Sequence, residues 1–129
     1  MVSQNPTIFL FAGNDSYSKD KAVEKLKADL SKGSSEGLDY KIFRGAEAEA
    51  GEIISNLRTK PLFSERHLVL IKDIDAMAKD GIRLLAGVIK DLPKTTCLVL
   101  ESKDDSVLDK YPEFNDRVSV KVFGELKGQ

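Results

Sequence analysis

Ile8-Phe9-Leu10-Phe11-Ala12-Gly13-Asn14-Asp15-Ser16-Tyr17-Ser18-Lys19-Asp20 is the stretch that decides the fold. Its first five residues form an apolar run, β-branched and aromatic in character, stopped by Gly13-Asn14-Asp15. A short run without polar interruption predicts a strand buried on both faces, as in a parallel sheet covered by helices. Beyond the stop, Tyr17, Ala22, Val23, Leu26 and Leu30 recur at three- and four-residue steps among Lys and Glu. That period predicts a helix over Ser16–Ser31, with Asp15 or Ser16 capping its start.

The alternation continues along the chain. After the connection Lys32–Gly37, Asp39–Arg44 reads as a second strand, and Glu47–Leu57 as a second helix with Ile53, Ile54 and Leu57 on one face. Pro61 disfavours helical geometry at Lys60 and ends that segment. Leu68–Ile71 is another buried-strand run, and Ile82, Leu85, Ile89 and Leu92 mark the core face of a third helix ended by Pro93. Cys97–Leu100 gives a fourth strand, Asp104–Tyr111 a short helix, and Val118–Phe123 a fifth strand. Repeated strand-helix alternation predicts an α/β three-layer sandwich: a mainly parallel five-stranded sheet with right-handed crossovers and helices on both faces. Little follows the last strand to cover it, so residues 1–129 are expected to be a single domain excised from a longer chain.

Composition narrows the function classes. The 129 residues carry 20 Lys plus Arg against 21 Asp plus Glu, a net charge of −1. Such a balance argues against a dedicated nucleic-acid binder, which presents a basic stripe. A composition 41% hydrophobic and 32% charged is that of an ordinary soluble globular domain. The longest apolar run is far too short to span a membrane and no basic segment precedes it, which predicts a cytoplasmic protein with no membrane contact. One Cys (Cys97) and one His (His67) cannot make an intramolecular disulfide or a structural zinc site.

A strand ending in Gly and opening a helix is where a parallel sheet holds a nucleotide. Against the pattern G-x-x-x-x-G-K-[ST], Gly13 and Lys19 fall in register, but Ser18 replaces the second Gly and Asp20 replaces the magnesium-binding hydroxyl. The missing Gly denies phosphate a close backbone approach, and a carboxylate beside the phosphates repels them. The loop reads as a degenerate phosphate loop or as a plain strand-to-helix turn capped by Asp15. An NTPase also needs an acidic residue directly after a hydrophobic strand to hold magnesium. Here Lys72 follows Leu68–Ile71, with Asp73 and Asp75 out of register, and Glu101-Ser102 follows Leu98–Leu100. No cofactor is expected. His67 has no fixed nucleophile beside it, and Cys97 lies in an apolar strand where burial makes a thiol inert.

Two other readings stand beside this one. Five alternating strands also suit a phosphoacceptor receiver domain, with Asp15, Asp73 and Ser102 as metal ligand, acceptor and hydroxyl and Lys127 as a distant lysine, although a second acidic ligand and a final helix are missing. The Lys-rich first helix (Lys19, Lys21, Lys25, Lys27, Lys32) is either a DNA-facing strip or, with Asp20, Glu24 and Asp29 interspersed, a solvated face.

One connection is chemically odd. In Arg58-Thr59-Lys60-Pro61-Leu62-Phe63-Ser64-Glu65-Arg66-His67, two large apolar residues stand together in polar surroundings. Leu62 and Phe63 either plug the end of the core or form an anchor pair for an apolar pocket on a partner. Arg58, Lys60 and Arg66 would then form a polar rim that speeds encounter with an acidic surface.

Leu57 through Val69, with Ile8 through Asp15 and Tyr17, Leu38 through Phe43, and Thr96 through Glu101, resembles the N-terminal domain of the DNA polymerase III delta subunit family. The resemblance spans nearly the whole chain, and its most specific part is the Leu57–Val69 stretch. It implies a P-loop NTPase-like fold of the AAA+ type, without ATPase activity of its own, in a component of the DNA polymerase III holoenzyme. It implies further that Leu62 and Phe63 enter a hydrophobic pocket of the ring-shaped sliding clamp (the beta subunit) and help open the ring for loading onto primed DNA. Sister clamp-loader subunits, joined through domains outside this chain, would supply the energy of ATP, and any DNA contact here would be weak or indirect.

Overall fold

The computed structural model describes residues 8–32, 38–59, 66–114 and 118–125. Strand β1 (Ile8–Ala12) is followed by helix α1 (Ser16–Ser31), β2 (Leu38–Arg44), α2 (Ala50–Arg58) and β3 (Arg66–Lys72). Then come α3 (Lys79–Val88), β4 (Thr96–Ser102), α4 (Ser106–Lys110) and β5 (Ser119–Val122). All strands are parallel, in the order β2-β3-β4-β1-β5.

The uninterrupted apolar runs are the three inner strands. β1, β3 and β4 present both faces to helices, so neither parity of side chain meets water. Ile8, Leu10, Ala12, Val69, Ile71, Leu98 and Leu100 pack with Ile53 and Leu57 of α2, Ile82 and Leu85 of α3, Val107 of α4 and Phe114. The opposite parity, Phe11, Leu68, Leu70, Cys97 and Val99, packs with Val23, Leu26 and Leu30 of α1. Three layers result, and among the described elements α1 is the one helix on its side of the sheet.

Several boundaries differ from the sequence expectation for local reasons. Residues 45–47 form a turn, with Glu47 and Ala48 N–H groups donating to the Arg44 carbonyl, so α2 starts at Ala50 rather than Glu47. The third helix tightens into a 3₁₀ turn at Ile89–Asp91, where Leu92 N–H donates to the Ile89 carbonyl just ahead of Pro93. An unanticipated 3₁₀ turn at Ile74–Ala76 follows β3 and buries Ile74 completely.

This strand order places the site. The chain leaves β1 through α1 on one face toward β2 at the far edge, while β4 reaches β5 by crossing β1 on the other face. Connections diverging from neighbouring parallel strands open a crevice at their carboxyl ends, here between β1 and β4. In a receiver-type sheet β1 lies between β2 and β3; here it lies between β4 and β5. The receiver reading is therefore corrected: Asp15, Asp73 and Ser102 are not arranged around that fold's phosphoacceptor crevice.

Candidate functional site

The crevice holds the loop Gly13–Asp20, and the N–H groups of Gly13, Asn14 and Asp15 are already engaged. Gly13 N–H donates to the Ser102 carbonyl at the end of β4 (3.2 Å), Asn14 N–H to the Glu125 carbonyl (3.0 Å) and Asp15 N–H to the Phe123 carbonyl (3.0 Å). The segment 123–125 reciprocates: Phe123 N–H donates to the Ala12 carbonyl (2.8 Å) and Glu125 N–H to Asn14 Oδ1 (3.0 Å). This zipper requires Gly13. Its φ is +124°, and a Cβ there would lie 2.1 Å from the Phe123 carbonyl oxygen.

The start of α1 is occupied as well. Asp15 caps the helix, accepting from Ser18 N–H (3.0 Å) and from the Ser18 hydroxyl (2.8 Å). These two bonds, the backbone one foremost, hold the Asp15 carboxyl below the ordinary aspartate range. A helix N-terminus attracts anions through its unpaired N–H groups and dipole, and here a carboxylate of the same chain sits there.

Lys19, the lysine of the phosphate-loop register, bends back on its own loop. Its Nζ donates to the Gly13 carbonyl (2.9 Å) and the Ser102 carbonyl (3.3 Å), and the residue is only 8% exposed. It therefore does not belong to the solvated face that the spacing of charges on α1 predicts; that expectation is corrected. Lys19 lies four residues before the buried Val23, on the core stripe of the helix.

Ser18 is the cap's second donor rather than a gap for phosphate, and Asp20 lies 3.4 Å from Lys72 Nζ. Lys72 Nζ is also 3.9 Å from Glu101 Oε1. Glu101 is buried, and burial pushes its carboxyl above the ordinary glutamate range despite the nearby Lys72 and Lys19. Sequence reasoning named Asp20 and Lys72 separately as motif failures and missed that they pair; their opposite charges were the available signal. It read Asn14 only as part of the strand stop and Glu101 only as an unmatched strand-end carboxylate, and it missed the bonding of segment 123–125 to the loop, for which no local pattern exists.

What stays open is a cleft of about 300 Å³ lined by Gly13, Asn14, Ser16, Lys19, Asp73 and Lys103. The Gly13, Asn14 and Asp15 N–H groups and the Lys19 amine bond to carbonyls of the chain instead of converging on this cleft as the donors of a phosphate cradle do.

At the opposite end of the sheet, His67 enters β3 in register with Asp39 of β2 and Thr96 of β4. Its ring is buried, with Nε2 3.6 Å from Asp39 Oδ2, and burial pushes its pKa down. Cys97, which follows Thr96 on β4 and lies in register with Leu68, is buried, its thiol pushed up to about 12 by burial, so it is no nucleophile. Among the described residues, no group of three or more His, Cys, Asp or Glu side chains is placed to hold a metal ion.

Leu62, Phe63 and Lys60 lie outside the described residues. The elements that bracket them are described: α2 ends at the exposed Arg58, and β3 begins at the exposed Arg66. Leu57 and Leu68, just inside those ends, are completely buried. Among the described residues, no helix is long and apolar enough to cross a membrane.

Comparison with known proteins agrees with this geometry. The family model described as DNA polymerase III, delta subunit, matches residues 9–123. No curated protein matches the chain. Among solved structures, the Bacillus subtilis DNA clamp loader delta protein is similar, with TM-score 0.71 and 16% identity over 93% of this chain and 39% of that one. A DNA polymerase III gamma subunit-related protein from Thermotoga maritima gives TM-score 0.70 and 19% identity over 93% of this chain and 42% of that one. A Thermotoga maritima RuvB variant gives 0.65 and 17% over 93% and 37%. At these identities the structural likeness shows the fold, an AAA+-like parallel sheet, and the chain spans about two fifths of each matched structure.

Proposed function

Since the chain belongs to the DNA polymerase III delta subunit family, we propose that it is the clamp-contacting domain of a replication clamp loader and acts in the cytoplasm without hydrolysing ATP itself. The observation that carries the reading is the internally satisfied phosphate loop: Gly13, Asn14, Asp15 and Lys19 spend their donors on carbonyls of the same chain. Hydrolysis depends on such donors, and on a metal, to stabilise the transferring phosphoryl group. The energy of ATP then enters through sister subunits of the loader.

The clamp contact is assigned to Leu62 and Phe63, with Arg58, Lys60 and Arg66 around them. The pair stands in the connection between α2 and β3, whose own core residues Leu57 and Leu68 are already fully packed. An apolar pair on a rigid scaffold can enter a pocket at small conformational cost. Ring opening follows as a population shift: the domain must bind the opened clamp more tightly than the closed one, since equal affinity shifts nothing. DNA is contacted weakly or through the clamp, consistent with the net charge of −1.

Calorimetry with the purified cognate sliding clamp tests this, comparing wild type with Leu62→Ala/Phe63→Ala, circular dichroism confirming that both are folded. Burying two such side chains contributes roughly 3–6 kcal/mol before association costs, so the double variant should bind about 10²- to 10⁴-fold more weakly. A folded wild-type chain that does not bind the clamp, or a double variant that binds equally well, would overturn the assignment.

A further inference from the structure

In a catalytic P-loop domain a divalent cation lies between two protein groups: the hydroxyl that follows the loop lysine, and the carboxylate at the end of a neighbouring strand. In this chain the first position is Asp20 and the second is Lys72. Both have changed, and the changes are complementary: a neutral ligand has become an anion, and an anionic ligand has become a cation.

The geometry joins them. Lys72 Nζ stands 3.4 Å from Asp20 Oδ1, across a sequence separation of 52 residues, and 3.9 Å from Glu101 Oε1 on the adjacent strand β4. Glu101 is 6% exposed, and its Oε2 has no hydrogen-bond partner among the described residues. A buried carboxylate lacking compensating hydrogen bonds stays ionised only with a positive charge close by. Lys72 supplies one while its side chain remains a quarter exposed, which moderates the desolvation of the ammonium.

We propose that Lys72 is a resident cation: its ammonium stands in the place of the divalent ion with a single positive charge, bridging Asp20 of α1 and Glu101 of β4, so that the crevice is closed to magnesium and to magnesium nucleotides. Asp15 does the corresponding thing for the anion, placing a carboxylate at the α1 terminus where phosphate would approach. The crevice is then occupied from within by groups of both signs, and its conformation does not follow the nucleotide state. This inference is independent of the clamp contact proposed for the connection between α2 and β3.

The test is to remove the cation and offer another. Lys72→Met, close in length and uncharged, should bind Mn²⁺ at roughly 10⁻⁴–10⁻³ M, the range of weak carboxylate sites. Loss of the free-ion EPR signal and a Mn²⁺-dependent rise in Tm would report it. Wild type and Lys72→Arg should show neither response, and Asp20→Asn/Lys72→Met should lose the Mn²⁺ response. A folded Lys72→Met chain that ignores Mn²⁺, or a wild-type chain that binds Mn²⁺ as well as the variant does, overturns the proposal. If Lys72→Met does not fold, Glu101→Gln/Lys72→Met should, because it removes the buried charge that lost its counter-ion; failure of that variant to fold, with Glu101→Gln itself folded, overturns the proposal too.

Discussion

Replacing Lys19 by Met separates a lysine that holds the loop together from one that waits for a ligand. In a nucleotide-binding loop the amine points at phosphate, and its loss lowers nucleotide affinity while leaving the unliganded protein nearly as stable. Here Nζ donates to the Gly13 carbonyl at 2.9 Å and, at the long end of hydrogen-bond range, to the Ser102 carbonyl at 3.3 Å. A hydrogen bond from a charged donor contributes about 1.5–3 kcal/mol, and Met retains most of the apolar stem, so Lys19→Met should cost about 2 kcal/mol. Per-residue unfolding entropies applied to 129 residues give about 0.27 kcal/mol/K, so Tm should fall by about 7 °C. Urea and thermal unfolding followed by circular dichroism at pH 7, with no nucleotide present, measure both quantities. A variant within about 0.5 kcal/mol of wild type would show the amine to be idle, and the internally satisfied loop would be refuted.

Two further outcomes follow from the same loop. Gly13→Ala forces a Cβ against the Phe123 carbonyl in a backbone conformation with φ of +124°; the strain and the displaced Asp15 N–H bond should cost at least about 2 kcal/mol in urea unfolding, whereas a near-neutral result would mean that segment 123–125 is not zipped to the loop. The two carboxyls of the crevice should show opposite pH signatures in unfolding series from pH 7 to pH 3. Asp15, whose pKa is lowered from 3.8, stabilises above that value and loses its contribution as pH falls through the folded pKa, so the deficit of Asp15→Ala at neutral pH should shrink in acid. Glu101, whose pKa is raised from 4.5 by burial, contributes stability below 4.5 that is lost as pH rises through the folded value, so wild type should gain on Glu101→Gln as the solution is acidified. Parallel pH profiles for each variant and wild type would contradict the corresponding assignment.

Burial on both faces made the inner strands legible. β1, β3 and β4 expose no side-chain parity to water, so their runs Ile8–Ala12, Leu68–Ile71 and Cys97–Leu100 stand out without any knowledge of their partners. The edge strands β2 and β5 bury less and show only partial alternation, as Tyr40-Lys41-Ile42 and Val120-Lys121-Val122 illustrate. Strand order was not legible, because pairing β1 with β4 and β5 is a long-range event that leaves no local pattern. At the site, the mismatches at Ser18, Asp20 and Lys72 were visible one by one against a phosphate-loop template. The pairing of Asp20 with Lys72 was signalled only by their opposite charges, since it depends on α1 lying against β3. Lys19 was misplaced because charge outweighed register: the steps from Lys19 to Val23, Leu26 and Leu30 put it on the apolar stripe.

The position of β1 also sets the order in which the protein can be made. Its strand partners begin near Leu98 and Ser119, while β2, β3 and β4 pair among themselves from sequentially adjacent segments. On a ribosome adding about 5–20 residues per second, the longest apolar run is therefore synthesised before its partners and waits several seconds for them. Contacts of such sequence separation close slowly, and an unpaired apolar strand invites association with other nascent chains. The donors of Asn14 and Asp15 find their acceptors only when Phe123 and Glu125 have emerged, so the crevice is the last part of the domain to take shape. Its completion reports that the whole sheet has been assembled.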